Sequence, residues 1–133
     1  MNSDTHFLIV DDYTNIRTLV RQQLSEFGIE KITEAEKVDD GIEVLKANMS
    51  GVNKVDFVIS DWNMPGKTGL EFLKWVRSQP ELKNLPFLIL TTENEQAKIM
   101  SAVSEGVSNF LLKPWEEDEL GEKIQLCWEK HHG

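Results

Sequence analysis

Short apolar runs alternate along this chain with longer segments of helical spacing, and that alternation restricts the fold more than any other feature. The strand-like runs are Phe7 to Val10, Lys31 to Glu36, Asp56 to Ser60, Phe87 to Thr91 and Asn109 to Leu112. Four of the five are nearly continuous apolar stretches, as strands covered on both faces must be. The exception, Lys31 to Glu36, is polar and belongs at a sheet edge. Between the runs lie stripes of helical period. Ile16, Leu19, Val20, Leu24 and Phe27 form the first, stopped by Gly28, and Val38, Ile42, Leu45 and Met49 the second. Leu70, Leu73 and Val76 form a third and Met100, Val103 and Val107 a fourth, which leaves Ile99 off that face. Leu120, Ile124 and Trp128 complete the set, with Gly121 inside their helix at a cost of about 1 kcal/mol relative to alanine. Five strand-then-helix repeats with right-handed crossovers predict an α/β sandwich, a five-stranded parallel doubly wound sheet with helices on both faces.

The 133 residues suffice for one domain, with a core over about residues 5 to 130 and no room for an output domain. No apolar stretch approaches the roughly 20 residues that cross a bilayer, and Met1 to His6 do not read as a secretory signal. A single cysteine, Cys127, fits a reducing cytoplasm and reads as a small helix residue, not a catalytic thiol. A net charge of −9 disfavours nucleic-acid binding through phosphate contacts. His131 and His132, close to the C-terminus, read as a solvated tail.

The strand ends carry the chemistry. Asp11-Asp12, Asp61, Thr91 and Lys113 each close an apolar run, and in a doubly wound sheet such positions face the ligand crevice. Asp12 or Thr91 alone reads as a cap of the following helix; all of them together, with a lysine, do not. Asp11 and Asp61 are fifty residues apart in sequence, yet neighbouring parallel strands bring their carboxylates to one edge. Three converging acids repel one another unless a hard cation sits between them. The pattern therefore predicts Mg²⁺-assisted phosphoryl chemistry centred on one carboxylate.

In order and spacing, Asp11-Asp12, Asp61, Thr91 and Lys113-Pro114 resemble the five marks of the response-regulator receiver domain. The stretch Asp61-Trp62-Asn63-Met64-Pro65 is similar to the CheY-like chemotaxis branch of that family. The resemblance implies a 2-1-3-4-5 strand order. It makes Asp61 the nucleophile that becomes an aspartyl phosphate, and it implies Mg²⁺ held by Asp12, Asp61 and the Asn63 carbonyl, with Asp11 reaching the ion through water. Lys113, after a strand and before a cis proline, would pair with Asp61 and then with a phosphoryl oxygen, while Thr91 would donate its hydroxyl there and move. Asn63 and Glu93 stand where relatives tune phosphoryl lifetime, which implies a short-lived signal.

Two departures stand out. Phe110 replaces the family's usual tyrosine and so keeps the ring without the hydroxyl, and Thr92 replaces a smaller residue. Ile99, Phe110, Leu112, Trp115 and Lys123 are expected on the output face built from the fourth helix, fifth strand and fifth helix. The implied partners are a CheA-like histidine kinase, a target such as the flagellar motor switch, and a phosphatase. The alternative is a relay or phosphate sink in another two-component pathway. Two other classes fail on residues. A haloacid-dehalogenase-type phosphatase needs a second acid where Asn63 stands, and a flavodoxin-like carrier needs a phosphate cradle where Asp11-Asp12 would repel it.

Overall fold

The computed structural model describes residues 1–92 and 96–132. Strands and helices alternate as β1 (His6–Val10), α1 (Thr14–Glu26), β2 (Lys31–Ala35), α2 (Val38–Ala47), β3 (Phe57–Asp61), α3 (Gly69–Ser78), β4 (Phe87–Thr91), α4 (Gln96–Ser104), β5 (Asn109–Leu112) and α5 (Glu119–His132). All strand pairs are parallel, in the order β2-β1-β3-β4-β5, so the polar β2 does lie at an edge. Every residue of β1, β3 and β4 is buried, which is what the continuous apolar runs required.

Alternation along each strand divides the core in two. Leu8, Val10, Val58, Phe87 and Ile89 face one side and pack against Val38, Ile42 and Leu45 of α2, Phe72, Leu73 and Val76 of α3, and Ala102 of α4. Phe7, Ile9, Phe57, Ile59, Leu88 and Leu90 face the other and meet Val20 and Leu24 of α1 and Leu120, Ile124 and Cys127 of α5. The Phe7 and Phe57 rings stack at 4.7 Å across the β1–β3 pair. Such a pair adds about 0.5–1.5 kcal/mol to simple burial and helps fix these two strands, whose ends carry the acids.

Several helix faces differ from the expected ones. In α4 the inward residues are Ile99 and Ala102, while Met100 and Val103 are exposed; Val107 is buried, but beyond the helix. Ile99 is thus turned from the proposed output face because a small alanine, not a bulky stripe, seats the helix. In α1, Leu19 is exposed, as is Phe27 just past the helix end, and Arg17 is buried with Val20 and Leu24. His131 and His132 belong to α5, and His131 Nε2 lies 2.6 Å from Ser108 Oγ, so they are not a loose tail. Nothing between Glu119 and His132 breaks the helix: Gly121 is accepted because the Phe27 ring occupies the space its missing side chain leaves.

Candidate functional site

The sheet register builds the site. Val10 lies opposite Ser60, so Asp11 and Asp61 follow at the same level on adjacent strands. Asp61 lies opposite Leu90 and Thr91 opposite Leu112, which sets Thr91 and Lys113 successively along the same edge. The ladder continues into the loops: Asp11 N–H donates to the Ala35 carbonyl (3.1 Å), Trp62 N–H to that of Leu90 (2.9 Å) and Lys113 N–H to that of Thr91 (2.7 Å). The Lys113-Pro114 peptide is cis, as expected.

Lys113 Nζ donates to Asp61 Oδ1 at 2.9 Å and lies 3.3 Å from Asp11 Oδ2. Asp11, wholly buried, also accepts from Tyr13 N–H on Oδ1 at 2.8 Å. Burial pushes the Asp61 carboxyl up to about 6; the Asp11 charge adds to that rise, and the Lys113 hydrogen bond only partly opposes it. For Lys113, burial works downward, but the hydrogen bond and charge of Asp61, with those of Asp11, hold its pKa above the ordinary lysine value.

The third acid is different. Asp12 Oδ1 is buried and has no hydrogen-bond partner among the described residues. A carboxylate oxygen left so is costly, and native proteins pair nearly all such atoms. One oxygen each from Asp11, Asp12 and Asp61 lies within 4.8 Å of the others. An all-oxygen set of this compactness, with an unsatisfied member, fits a hard divalent cation.

An open cleft above the acids is lined by Asp12, Tyr13, Asp61, Asn63, Thr92 and Lys113. Asn63 and Thr92 are exposed at its mouth, and Thr91 is buried behind it. Glu93 lies outside the described residues. Gly69 opens α3 against the Asp61 backbone: a Cβ there would lie 2.4 Å from the Asp61 carbonyl oxygen. The adjoining Thr68 is the N-cap of α3 and accepts from Glu71 N–H in a reciprocal capping box.

The expected output residues do not share one environment. Leu112 is exposed; Phe110 is half-buried, with Lys123 Nζ 5.7 Å from its ring centroid. Trp115 turns toward α1, where its indole N–H donates to Gln23 Oε1 at 2.8 Å. The residue that sequence reasoning missed is Arg17, whose guanidinium donates to the Asp11 carbonyl at 2.6 Å. Its spacing with Val20 and Leu24, three and seven residues on, was the available signal: a charge within a buried stripe.

A parallel doubly wound sheet with three acids and a lysine at its carboxyl edge defines an α/β protein built to handle an anionic group beside a cation. The response regulator receiver domain matches residues 7–125, and the chain belongs to that family. It is 37% identical to chemotaxis protein CheY-3 of Vibrio cholerae serotype O1 over 130 residues, covering 98% of this chain and 96% of the relative. It is 38% identical to chemotaxis protein CheY of Pseudomonas aeruginosa over 126 residues, covering 95% and 98%. The structure of chemotaxis response regulator CheY4 of Vibrio cholerae superposes with a TM-score of 0.82 at 32% identity, covering 92% of this chain and 98% of that one. The protein is accordingly a signalling switch and not a conventional enzyme, of a family that partners with histidine kinases. Among the described residues no helix is long and apolar enough to cross a membrane.

Proposed function

We propose that the chain is a cytoplasmic, single-domain response regulator in which phosphorylation of Asp61, aided by Mg²⁺, switches binding to a target protein. The observation that carries this reading is the bridge of Lys113 Nζ to Asp61 and Asp11 beside the unpartnered Asp12 oxygen. Asp12, Asp61 and the Asn63 carbonyl would hold the ion, with Asp11 acting through water; this sparse set suits Mg²⁺, which keeps several waters. Bound there, the ion would offset charge on the phosphoryl oxygens.

In the transfer itself, an Asp61 carboxylate oxygen attacks phosphorus as the bond to the donor breaks, and the leaving group departs with its electron pair and takes up a proton. From a kinase phosphohistidine the broken bond is P–N. Lys113 holds the carboxylate in place beforehand and then meets a phosphoryl oxygen. Thr91, buried next to the cleft, reaches that group by its hydroxyl and draws its loop inward. Asn63 at the cleft mouth and Glu93 tune how long the phosphoryl group survives.

A chemotaxis setting, with a CheA-like kinase and a flagellar motor switch as target, is supported by the two chemotaxis proteins at 37% and 38% identity. Their 96% and 98% coverage supports a one-domain switch. The experiment is incubation with Mg²⁺ and a small phosphodonor followed by intact mass. One phosphoryl group should add to the parent and none to Asp61→Asn. Equal labelling of both would remove Asp61 from the role.

A further inference from the structure

We infer that Arg17 is a positioning residue for the acidic cleft, holding the Asp11-Asp12 turn in the shape that presents the free Asp12 oxygen to a cation. This rests on the cleft being a cation site. Arg17 is 7% exposed, and each of its three guanidinium nitrogens has a partner. Nη1 donates to the Asp11 main-chain carbonyl at 2.6 Å, Nε to Glu34 Oε1 at 3.0 Å and Nη2 to Thr14 Oγ1 at 3.2 Å, with Glu36 Oε1 3.7 Å away. One side chain on α1 therefore ties the metal-side turn to the edge strand β2.

The turn needs such a tie. Tyr13, the N-cap of α1, gives the helix no side-chain cap, so the turn lacks the usual fastening. Asp11 is instead fastened at four points. Its N–H donates to the Ala35 carbonyl, its C=O accepts from Arg17, its Oδ1 accepts from Tyr13 N–H and its Oδ2 meets Lys113. Of these, Arg17 alone reaches in from the body of a helix, and its rigid fork fixes direction as well as distance. Groups that orient ligands without touching the ion typically matter about ten- to a hundred-fold in metal affinity.

A purely electrostatic view makes the opposite prediction. Arg17 is a cation near a cation site, so removing its charge should tighten Mg²⁺ binding. Glu34 and Glu36 already offset that charge, and Arg21 Nη2 lies 2.9 Å from Glu34 Oε2 in the same network. Positioning should therefore win, and the sign of the change separates the two views.

The test is calorimetric titration of the full chain with Mg²⁺, well below its melting temperature. Parent, Arg17→Met, Arg17→Lys, Val20→Ala and Asp12→Ala are compared, with thermal unfolding of each alongside. Arg17→Met should weaken Mg²⁺ about tenfold, and Arg17→Lys, which keeps the charge and a donor, should recover part of the loss. Val20→Ala destabilises the same helix without touching Asp11 and should bind Mg²⁺ like the parent. Unchanged or tighter binding in Arg17→Met, or an equal loss in Val20→Ala, would overturn the role of Arg17. A parent that binds no Mg²⁺, or binding that Asp12→Ala leaves intact, would overturn the cation site itself.

Discussion

Asp61 carries two demands that conflict at the level of one residue. As the proposed nucleophile it must be ionised, yet burial raises its carboxyl from 3.8 to about 6. A folded-state pKa above the unfolded value means that the native protein binds the proton more tightly. The stability this contributes is fully present below 3.8 and is lost as pH rises through about 6. At pH 7 in the absence of metal, the Asp61 charge therefore destabilises the fold. Asp61→Asn should then be more stable than the parent at pH 7 by about 1–2 kcal/mol, allowing for the solvent that still reaches the cleft. The gap should close near pH 4. Urea unfolding in chelator at both pH values measures it, and a less stable variant at pH 7 would mean that pairing with Lys113 outweighs desolvation. Cys127 shows burial without such a conflict: its thiol is pushed up to about 12 by burial and is inert at neutral pH.

Helix α3 shows how an element is aimed by a single close approach. Gly69 N–H donates to the Trp62 carbonyl at 2.8 Å, and its missing side chain lets the helix start against the end of β3. The neighbour a new Cβ would strike is backbone, the Asp61 carbonyl oxygen, which has no rotamer to escape into. Gly69→Ala should therefore destabilise by about 1–3 kcal/mol despite alanine's better helix propensity. It should also slow labelling of Asp61; stable, fully reactive Gly69→Ala would show that the approach is looser than the contacts indicate. Gly69 was not read this way from the sequence, since the contact depends on chain folding. The strands were legible because burial on both faces imposes apolar runs, and Asp11, Asp12, Asp61 and Lys113 were legible because parallel strands bring their ends together. The face of α4 was not, since Ala102 fills the inward position and carries little hydrophobic signal. Arg17 acts through a main-chain carbonyl, which leaves only its place in a buried stripe as a sign. Gly121 owes its place to Phe27, ninety-four residues away in the chain.

At the scale of the molecule, the proposed switch must carry an event at the carboxyl edge of the sheet to a surface around β5. Phe110 is placed to do so. It pairs with Ile89 on the strand that ends in Thr91, packs against the α2–α4 side of the core, and holds its ring beneath the Lys123 ammonium. That contact is worth about 0.5–1 kcal/mol at an exposed site, small enough for a displaced Thr91 to overcome. In the proposed switch, movement of Thr91 toward a phosphoryl group would vacate space for the ring, and the surface around Phe110 and Lys123 would then change shape. A target shifts this equilibrium only by preferring one state, so phosphorylation and target binding must favour each other by the same factor. Such couplings span about 5- to 150-fold in affinity. Because Phe110 has no hydroxyl, its part in the coupling is packing. Phe110→Tyr should thus keep phosphorylation-dependent binding, whereas Phe110→Ala should bring the affinity ratio toward one while Asp61 still accepts the phosphoryl group. Binding to a motor-switch peptide, with and without phosphodonor, tests all three proteins. If Phe110→Ala is labelled normally and keeps the parent's ratio, the signal travels by another route than this ring.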